Sequence, residues 1–255
     1  MNPTAFAVDH INATVTRYEI CTSQSLAVIN VPTRPLQVRV TPDGSQAIVT
    51  SYDNAITFID TATDQITKTI QTPGFYPSGL AIAPDGSYAL VTNYFDSGQS
   101  PAIVDIASKT ITGSIPLDTI FPQSVFLNRD ATLAWVTYPW NDTVEAIDIL
   151  TGAVVRSMII TNPFGMAFSP TGTVAYVASG AGSIEMIDTA TYNTIQSVPA
   201  DFGACDLSVS ADGHMVTATN YLAGTVTVFD PRLAPFSITL PAGMFPRGKV
   251  WAPVI

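Results

Sequence analysis

One strand–turn–strand phrase recurs along the whole chain at a nearly fixed interval. Five copies read VRVTPDGSQAIVT, LAIAPDGSYALVT, VFLNRDATLAWVT, MAFSPTGTVAYVA and LSVSADGHMVTAT, and a sixth, FPRGKVWAPVI, begins at the C-terminus and stops. The residues that open the copies lie 41 to 45 positions apart and are Pro35, Pro77, Pro122, Pro163, Ala204 and Pro246. A period near forty with several short apolar runs per unit predicts the blades of a β-propeller.

Each repeat is predicted to contain four short strands. In the second repeat they are Leu80–Ala83, Tyr88–Thr92, Pro101–Ile106 and Thr110–Leu117. A Pro-Asp-Gly turn separates the first two, because proline presets φ for a turn and glycine supplies the positive φ of a tight hairpin. No segment keeps an apolar 3.6-residue period long enough for a helix. The chain is therefore predicted to be all-β.

The two ends of the chain complement each other. Ala5–Val8, Thr14–Glu19 and Gln24–Val31 match the second, third and fourth strands of a unit, and Lys249–Ala252 matches the missing first strand. Closure of a ring by such a shared blade removes exposed strand edges. We therefore expect a single domain over residues 1–255, a six-bladed β-propeller of four-stranded antiparallel blades in which the C-terminal strand joins the N-terminal blade.

The second copy resembles a known family of repeats. Pro77–Asn93 follows the pattern P-x-G-L-A-I-x-P-D-G-x-x-A-x-V-T-N, and the third strands of two units end in I-D-T-A-T at Asp60 and Asp188. This pattern is similar to the YVTN family of β-propeller repeats. The resemblance implies a propeller and an extracytoplasmic or surface location. Some related propellers act as lactonases or lyases, but no catalytic motif of the family maps onto positions here.

Composition excludes several classes of partner. The chain has 20 acidic and 10 basic residues, a net charge of −10. Without a basic face, binding to nucleic acid or to an anionic membrane surface is not expected. No apolar run approaches the roughly twenty residues of a membrane span, so we expect no membrane insertion. The polar surface, poor in lysine, favours an extracytoplasmic protein, either periplasmic or secreted.

No cofactor is expected from the sequence. Cys21 and Cys205 are too few for a disulfide framework, and their spacing does not suggest a metal site. Calcium could be held by Asp206, Asn93 and Asn220, but the two asparagines also fit the repeat as the last residue of V-T-N. The structural interpretation is therefore favoured, and no metal site is predicted.

Acidic residues recur at the end of the third strand in every unit. Such a carboxylate can accept hydrogen bonds from the backbone of the following turn. A residue present in each blade is expected to stabilise the blade, and we assign that role to these positions: Glu19, Asp60, Asp105, Asp148, Asp188 and Asp230.

Function is better sought at positions where the copies disagree. Asp206 is the one charged residue among those entering the first strands, and Arg247 is the one charged residue a position earlier. His10 ends the second strand of the closing blade, so all three are predicted at one mouth of the channel. A carboxylate, an imidazole and a guanidinium could perform acid–base chemistry or bind an anionic group. The alternative is an Asp–Arg ion pair that locks the seam, with His10 in solvent.

The same end of the blades is rich in aromatic residues, among them Tyr76, Phe95 and Phe121. We predict that a ligand-binding surface is formed by Tyr52, Tyr94, Trp140, Phe164 and Tyr221. Phe121, directly before a proline, is expected to pack between blades instead. An aromatic surface with a few polar anchors is typical of a small-molecule site, although aromatic residues are also enriched where proteins dock.

Two classes of function follow from these patterns. The first is an exported binding module that holds a small molecule, glycan or peptide at the aromatic mouth. The alternative is an enzyme, a lactonase-type hydrolase, lyase or cyclase, that uses His10 and Asp206 as base and acid with Arg247 as an anion clamp. Binding is favoured because no complete catalytic set is visible, and fold alone cannot decide between them.

Overall fold

The computed structural model describes residues 4–32, 34–72, 75–95 and 100–242 of the 255-residue chain. Within these ranges it contains 23 strands in six antiparallel sheets and two short 3-10 turns, Pro139–Asn141 and Pro231–Leu233. The prediction of an all-β chain is confirmed.

The six sheets follow the repeats, and we number them as blades 1 to 6. Blades 1 to 3 contain β1 (Thr4–Asp9), β2 (Thr14–Glu19), β3 (Gln24–Asn30); β4 (Pro35–Val40), β5 (Gln46–Ser51), β6 (Ala55–Asp60), β7 (Gln65–Gln71); and β8 (Phe75–Ile82), β9 (Tyr88–Phe95), β10 (Ala102–Asp105), β11 (Thr110–Ser114). Blades 4 to 6 contain β12 (Ser124–Leu127), β13 (Leu133–Tyr138), β14 (Thr143–Asp148), β15 (Val154–Ile159); β16 (Pro163–Phe168), β17 (Val174–Ser179), β18 (Ser183–Asp188), β19 (Thr194–Pro199); and β20 (Ala204–Val209), β21 (Val216–Asn220), β22 (Thr225–Phe229), β23 (Ile238–Pro241).

Strands that follow one another in the chain are neighbours in each sheet, so every blade is a meander of hairpins. Six such sheets give the fold class of a six-bladed β-propeller, as predicted. Five blades have four strands, and blade 1 has three within the described residues. The strand predicted to complete blade 1, Lys249–Ala252, lies outside the described residues, so closure of the ring by this strand stays a prediction.

The chain divides into two compact units, Met1–Leu127 and Asn128–Ile255. Each unit is described by itself below. The single domain predicted over residues 1–255 stays a prediction.

The first unit has an apolar core between successive blades. Between blades 1 and 2, Val15 and Ile29 pack with Val49 and Ile59. Between blades 2 and 3, the largest buried member is Phe58, which lies in a cluster with Ile48, Ile56, Leu80, Ala89, Val91, Val104 and Ile106. Alternate residues of β5 enter different clusters because side chains on a strand alternate between its two faces. The central strands are therefore buried on both sides.

The second unit repeats this arrangement between blades 5 and 6, where Tyr176, Met186 and Phe229 share one cluster. Here a glycine permits a close backbone approach. A Cβ placed on Gly165 would lie 3.0 Å from the Asp206 Cα and closer still to the Cys205 carbonyl oxygen. Gly79 in the first unit is similarly placed, 2.8 Å from the Ser124 Cα. A glycine in the first strand of one blade thus faces a residue with a side chain in the next.

The first two strands of blade 3 are longer than predicted. β8 begins at Phe75 instead of Leu80, and β9 continues to Phe95. The extension is a true ladder, because Pro77 pairs with Asn93 and Phe75 with Phe95 across an irregularity before Gly79. Sequence patterns miss it because proline at this point argues against a continuous strand.

The repeated third-strand carboxylates hold turns, as predicted. The Asp188 Oδ1 accepts hydrogen bonds from the backbone N–H of Thr191 at 2.7 Å and from its hydroxyl at 2.9 Å, and these bonds lower the pKa of Asp188. Asp60, Asp105 and Asp148 make the same pair of bonds to the residue three positions on. In a hairpin turn, the Thr41 hydroxyl and the groups of Ser45 lower the pKa of Asp43 to about 2.

These carboxylates make stability dependent on pH. Because the folded-state pKa of Asp188 lies below its unfolded value, its contribution is present above about pH 4 and is lost as the pH falls through the folded pKa. We expect Asp188→Ala to lower the melting temperature at pH 7 and to converge with the wild type toward pH 2. Asp188→Asn keeps an acceptor that does not titrate, so its deficit should be smaller. Parallel melting curves at every pH would contradict this assignment.

The glycine contact gives a second test. We expect Gly165→Ala to destabilise the fold by about 1–3 kcal/mol, because the new Cβ would press on backbone that cannot move as a flexible side chain can. The matched control is Gly113→Ala, since a Cβ there meets only the Ile103 Cδ1 at an ordinary 3.8 Å. Urea denaturation measures both variants, and equal midpoints would show that the close approach costs nothing.

Candidate functional site

Five aromatic side chains of the first unit form a continuous surface, which we call the aromatic row: Tyr52, Tyr76, Tyr94, Phe95 and Phe121. The rings of Tyr52 and Tyr76 lie 4.5 Å apart edge to face, and Tyr76 is 5.7 Å from Tyr94. Tyr94 continues to Phe95 at 4.9 Å and to Phe121 at 5.5 Å. Such edge-to-face and tilted contacts are the favoured geometries of aromatic pairs. The row therefore presents several rings to one ligand.

Two members of the row have an unusual backbone. Tyr76 and Phe121 have φ values of 64° and 62°, in the left-handed region. Asn162 and Gly203 have positive φ at the same place, directly before the residue that opens the repeat, and both residue types tolerate that conformation. A bulky aromatic residue does not, and strained backbone of this kind clusters at functional sites. The observation indicates that the two rings are positioned at a cost in stability.

His10 and Arg34 lie at the Tyr52 end of the row. The His10 ring is 6.4 Å from the Tyr52 ring, and its Nδ1 lies 3.3 Å from the Pro35 carbonyl oxygen. The Arg34 guanidinium lies 4.0 Å from the Tyr52 ring centroid and 3.4 Å from the Asp53 Oδ1. Both Arg34 and Asp53 are half exposed, so this ion pair contributes little to stability. An imidazole and a guanidinium thus border the row on its solvent side.

The predicted ligand residues divide between the two units. Tyr52 and Tyr94 belong to the aromatic row. Trp140 lies in the second unit in a 3-10 turn, with 77% of its surface exposed, while Phe164 lies in β16 and Tyr221 directly after β21, both half-buried. The placement of Trp140, Phe164 and Tyr221 around one site with the others stays a prediction.

The sequence analysis placed Tyr76 and Phe95 among the aromatic residues at this end of the blades but did not select them as ligand residues. Phe121, expected to pack between blades, stands 5.5 Å from Tyr94 within the row. The available signal was an aromatic residue directly before the proline that opens a repeat, at Tyr76 and Phe121. It does not reveal the positive φ that turns these side chains toward the row.

The predicted catalytic set is not tested by the structure. His10 lies in the first unit, as described above. Asp206 lies in the second unit, in β20 opposite Thr219, where its backbone packs against Gly165. Arg247 lies outside the described residues. The joint role of the three in acid–base chemistry stays a prediction.

A pocket of about 240 Å³ lies in the second unit, and half of its lining residues carry a hydroxyl: Thr161, Ser179, Ser183 and Thr194. Its one carboxylate is Glu185, whose Oε1 accepts hydrogen bonds from Ser183 at 2.7 Å and Ser197 at 2.8 Å. None of the predicted ligand residues lines it. The aromatic row and this pocket are therefore separate features.

The described part of the chain contains no group of three or more His, Cys, Asp or Glu side chains arranged to hold a metal ion. It also contains no helix with the length and hydropathy that a bilayer crossing requires.

Sequence comparisons connect the chain to proteins of heme d1. A model of the family described as the cytochrome D1 heme domain matches residues 143–244, less than half of the chain. The dihydro-heme d1 dehydrogenase of Pseudomonas aeruginosa is 33% identical over 78 residues. That match covers 31% of this chain and 16% of the relative, so the chain spans only a small part of the relative's length.

Solved structures match nearly the whole chain. The hydrazine synthase of Kuenenia stuttgartiensis superposes with a TM-score of 0.87 at 19% identity, covering 97% of this chain and 86% of that one. A functionally unknown protein from Desulfotomaculum acetoxidans gives 0.81 at 19% identity, with coverages of 96% and 84%. At this identity the likeness shows the fold alone, and it confirms the propeller that the YVTN resemblance implied. Membership of the YVTN family itself stays a prediction.

The expectation that the protein takes no cofactor is wrong. The cytochrome D1 heme domain match and the dihydro-heme d1 dehydrogenase relative both point to heme binding. The sequence prediction failed because it looked for short metal-binding motifs. The sequence contains no motif of that kind.

The strained backbone of Tyr76 gives a direct test. We expect Tyr76→Gly to be more stable than Tyr76→Ala by about 1 kcal/mol, because both remove the ring but only glycine adopts positive φ without strain. At Tyr94, which is absent from the positive-φ residues, the order should reverse because glycine weakens an ordinary strand. Denaturant midpoints of the four variants decide the matter. Alanine as the more stable residue at position 76 would show that no strain is stored there.

Proposed function

We propose that this protein binds a flat, conjugated macrocycle of the heme class on the aromatic row of its first unit. The observation that carries the proposal is the row itself, five rings whose successive centroids lie 4.5 to 5.7 Å apart. The heme d1 comparisons supply the class of ligand. The coarser function, small-molecule binding by a propeller, agrees with the prediction from sequence.

The row suits a flat ligand better than a flexible one. Rigid aromatic side chains offer a large contact area, and an apolar surface with a few polar anchors is the usual composition of a cofactor site. Phe95 is 51% exposed, and the other four side chains of the row are half-buried. Because the rings meet edge to face or tilted, a macrocycle would contact the faces of some rings and the edges of others, without displacing the core beneath them.

His10 is suited to ligate a heme iron. Metal-ligating histidines usually direct their second ring nitrogen to a carbonyl or carboxylate, which fixes the tautomer and the ring orientation. The 3.3 Å approach of His10 Nδ1 to the Pro35 carbonyl is of this kind and leaves Nε2 for a ligand. A bound heme would supply a redox-active iron. The only histidine within the family-matched segment 143–244 is His214, which lies in a hairpin turn beside Asp212, so the row is the better site.

Arg34 is suited to bind the carboxylates that macrocycles of this class carry. Its guanidinium is already held over Tyr52, and its weak ion pair with Asp53 can be exchanged for a ligand carboxylate. Arginine binds carboxylates through two parallel hydrogen bonds, which adds orientation as well as affinity. His10 and Arg34 together would fix the macrocycle at one end of the row.

The predictions of location and partner made from the sequence also belong to this proposal. We propose an extracytoplasmic location, in keeping with the lysine-poor surface and the YVTN resemblance. A small molecule is the proposed partner. No described observation favours the hydrolase, lyase or cyclase alternative over binding.

Titration of the full chain with hemin, followed by Soret absorbance, tests the proposal. The wild type should show a saturable shift, and Tyr76→Ala should weaken affinity about tenfold through loss of ring contacts. Phe236→Leu, which removes an exposed ring outside the row, should bind as the wild type does. A titration without saturation would refute heme binding. Loss of affinity in Trp140→Leu but not in Tyr76→Ala would move the site to the second unit.

The role of His10 needs its own comparison. His10→Ala should shift the Soret band of bound hemin and lower its affinity, because an iron ligand is lost. Metal-free protoporphyrin should bind His10→Ala and the wild type equally, because it lacks iron. An unchanged hemin spectrum in His10→Ala would exclude His10 as the ligand while leaving the row in place.

A further inference from the structure

Three side chains of blades 2 and 3 bury polar atoms that have no hydrogen-bond partner among the described residues. Asn93 is completely buried, yet both its Oδ1 and its Nδ2 are unpaired. The same holds for the Oγ1 of Thr50, which is also completely buried, and for the Oε1 of Gln37. Buried amides and hydroxyls without partners are rare in native proteins, because each costs a large part of its desolvation free energy.

The three side chains face the same interface. Thr50 lies opposite Ile56 on one side and opposite Gln37 on the other, so all three share one face of blade 2. Ile56 belongs to the cluster between blades 2 and 3. On β9, Val91 belongs to that cluster, and Asn93, two residues further, lies on the same face.

Thr50 and Asn93 also lie at the same distance along their strands from the apolar cluster. Thr50 lies two residues after Ile48, and Asn93 lies two residues after Val91, the two apolar residues being members of one cluster. In the aromatic row, Tyr52 lies two residues after Thr50, and Tyr94 follows Asn93 directly. The unpaired atoms therefore lie between the apolar core and the aromatic row.

A second asparagine shows that this arrangement is not a general property of the repeat. Asn220 occupies the same place in blade 6 and is equally buried, and its Oδ1 is also unpaired, but its Nδ2 donates to the Thr225 hydroxyl at 3.0 Å and to the Thr227 hydroxyl at 2.8 Å. Thr227 pairs with Ala218, and the matching residue of blade 3, which pairs with Val91, is Ala102. The Nδ2 of Asn93 therefore lacks the threonine hydroxyl that the Nδ2 of Asn220 has.

The chemistry of the unpaired atoms defines what can bind them. The Asn93 Nδ2 is a donor, the Asn93 Oδ1 and Gln37 Oε1 are acceptors, and the Thr50 hydroxyl can be either. A cation would be repelled by the amide N–H groups and an anion by the two carbonyl oxygens. Only an uncharged group that both donates and accepts satisfies the set.

We infer that Gln37, Thr50 and Asn93 form a buried binding subsite beneath the aromatic row for a small, uncharged group that both donates and accepts hydrogen bonds. The group is a water molecule or a hydroxyl or amide carried by a ligand seated on the row. Buried waters typically make about three such bonds to otherwise unpaired polar groups. The inference does not depend on the heme class of ligand, since it rests on the side chains of the subsite alone.

Stability measurements on the full chain test the subsite. If it is occupied, Asn93→Leu removes bonds to the occupant and should lower the melting temperature by about 2–8 °C. Thr50→Val, which keeps the shape of the side chain, should also lower it. Asn220→Leu is the positive control, because it loses two bonds to threonine hydroxyls. If the subsite is dry, Asn93→Leu removes an unsatisfied amide and raises the melting temperature, which would overturn the inference.

A high-resolution crystal structure provides the second test. Electron density within hydrogen-bonding distance of Asn93 and Thr50 in the free protein is expected, and an empty interface there would overturn the inference. A crystal soaked with hemin separates the two sources. An isolated peak that persists identifies water, and density continuous with the soaked molecule identifies a group of the ligand. Failure of hemin to bind leaves the result from the free crystal unaffected, so the two proposals can fail separately.

Discussion

A blade of this chain can bury its apolar faces only against another blade, and the rest of the structure depends on this constraint. Each central strand sends alternate residues into two different clusters, so no blade has a core of its own. The first strands must approach closely for these clusters to form. Gly79 and Gly165 allow that approach, because a Cβ at either position would strike the backbone of the next first strand.

The same constraint determines where chemistry can be placed. The middle of each strand is committed to packing, so variation is tolerated at strand ends and in the connections. The aromatic row lies at such places. Tyr52 follows β5, and Tyr94 and Phe95 end β9. Tyr76, near the start of β8, and Phe121, before β12, have a left-handed backbone. The apolar cluster between blades 2 and 3 contains none of the five rings, so the row is not part of that core.

The fold could be predicted from sequence because each repeat is a series of local hairpins with explicit turn residues. The role of Asp188 was predictable for the same reason, since its partners lie within three residues. The site was predictable only in part. Tyr52 and Tyr94 occupy a position that varies between copies, whereas the contribution of Tyr76 depends on a backbone angle that no residue pattern reports. The similarity to heme d1 proteins was not anticipated because the sequence has no short metal-binding motif. The Gly165 contact was missed because it joins residues forty positions apart.

The contrast between Asn93 and Asn220 bears on how repeat proteins acquire new sites. A tandem array holds several copies of each position, so one copy can lose its original partners while the others maintain the fold. Asn220 remains bonded to Thr225 and Thr227, whereas Asn93 faces Ala102 in place of one of those hydroxyls. With alanine there, and with the Ser100 hydroxyl accepting from the Asn93 backbone N–H, the buried amide of Asn93 has no partner among the described residues. In such an array a buried polar group can thus become available to bind a ligand when its hydrogen-bond partner is absent, without the insertion of any new side chain.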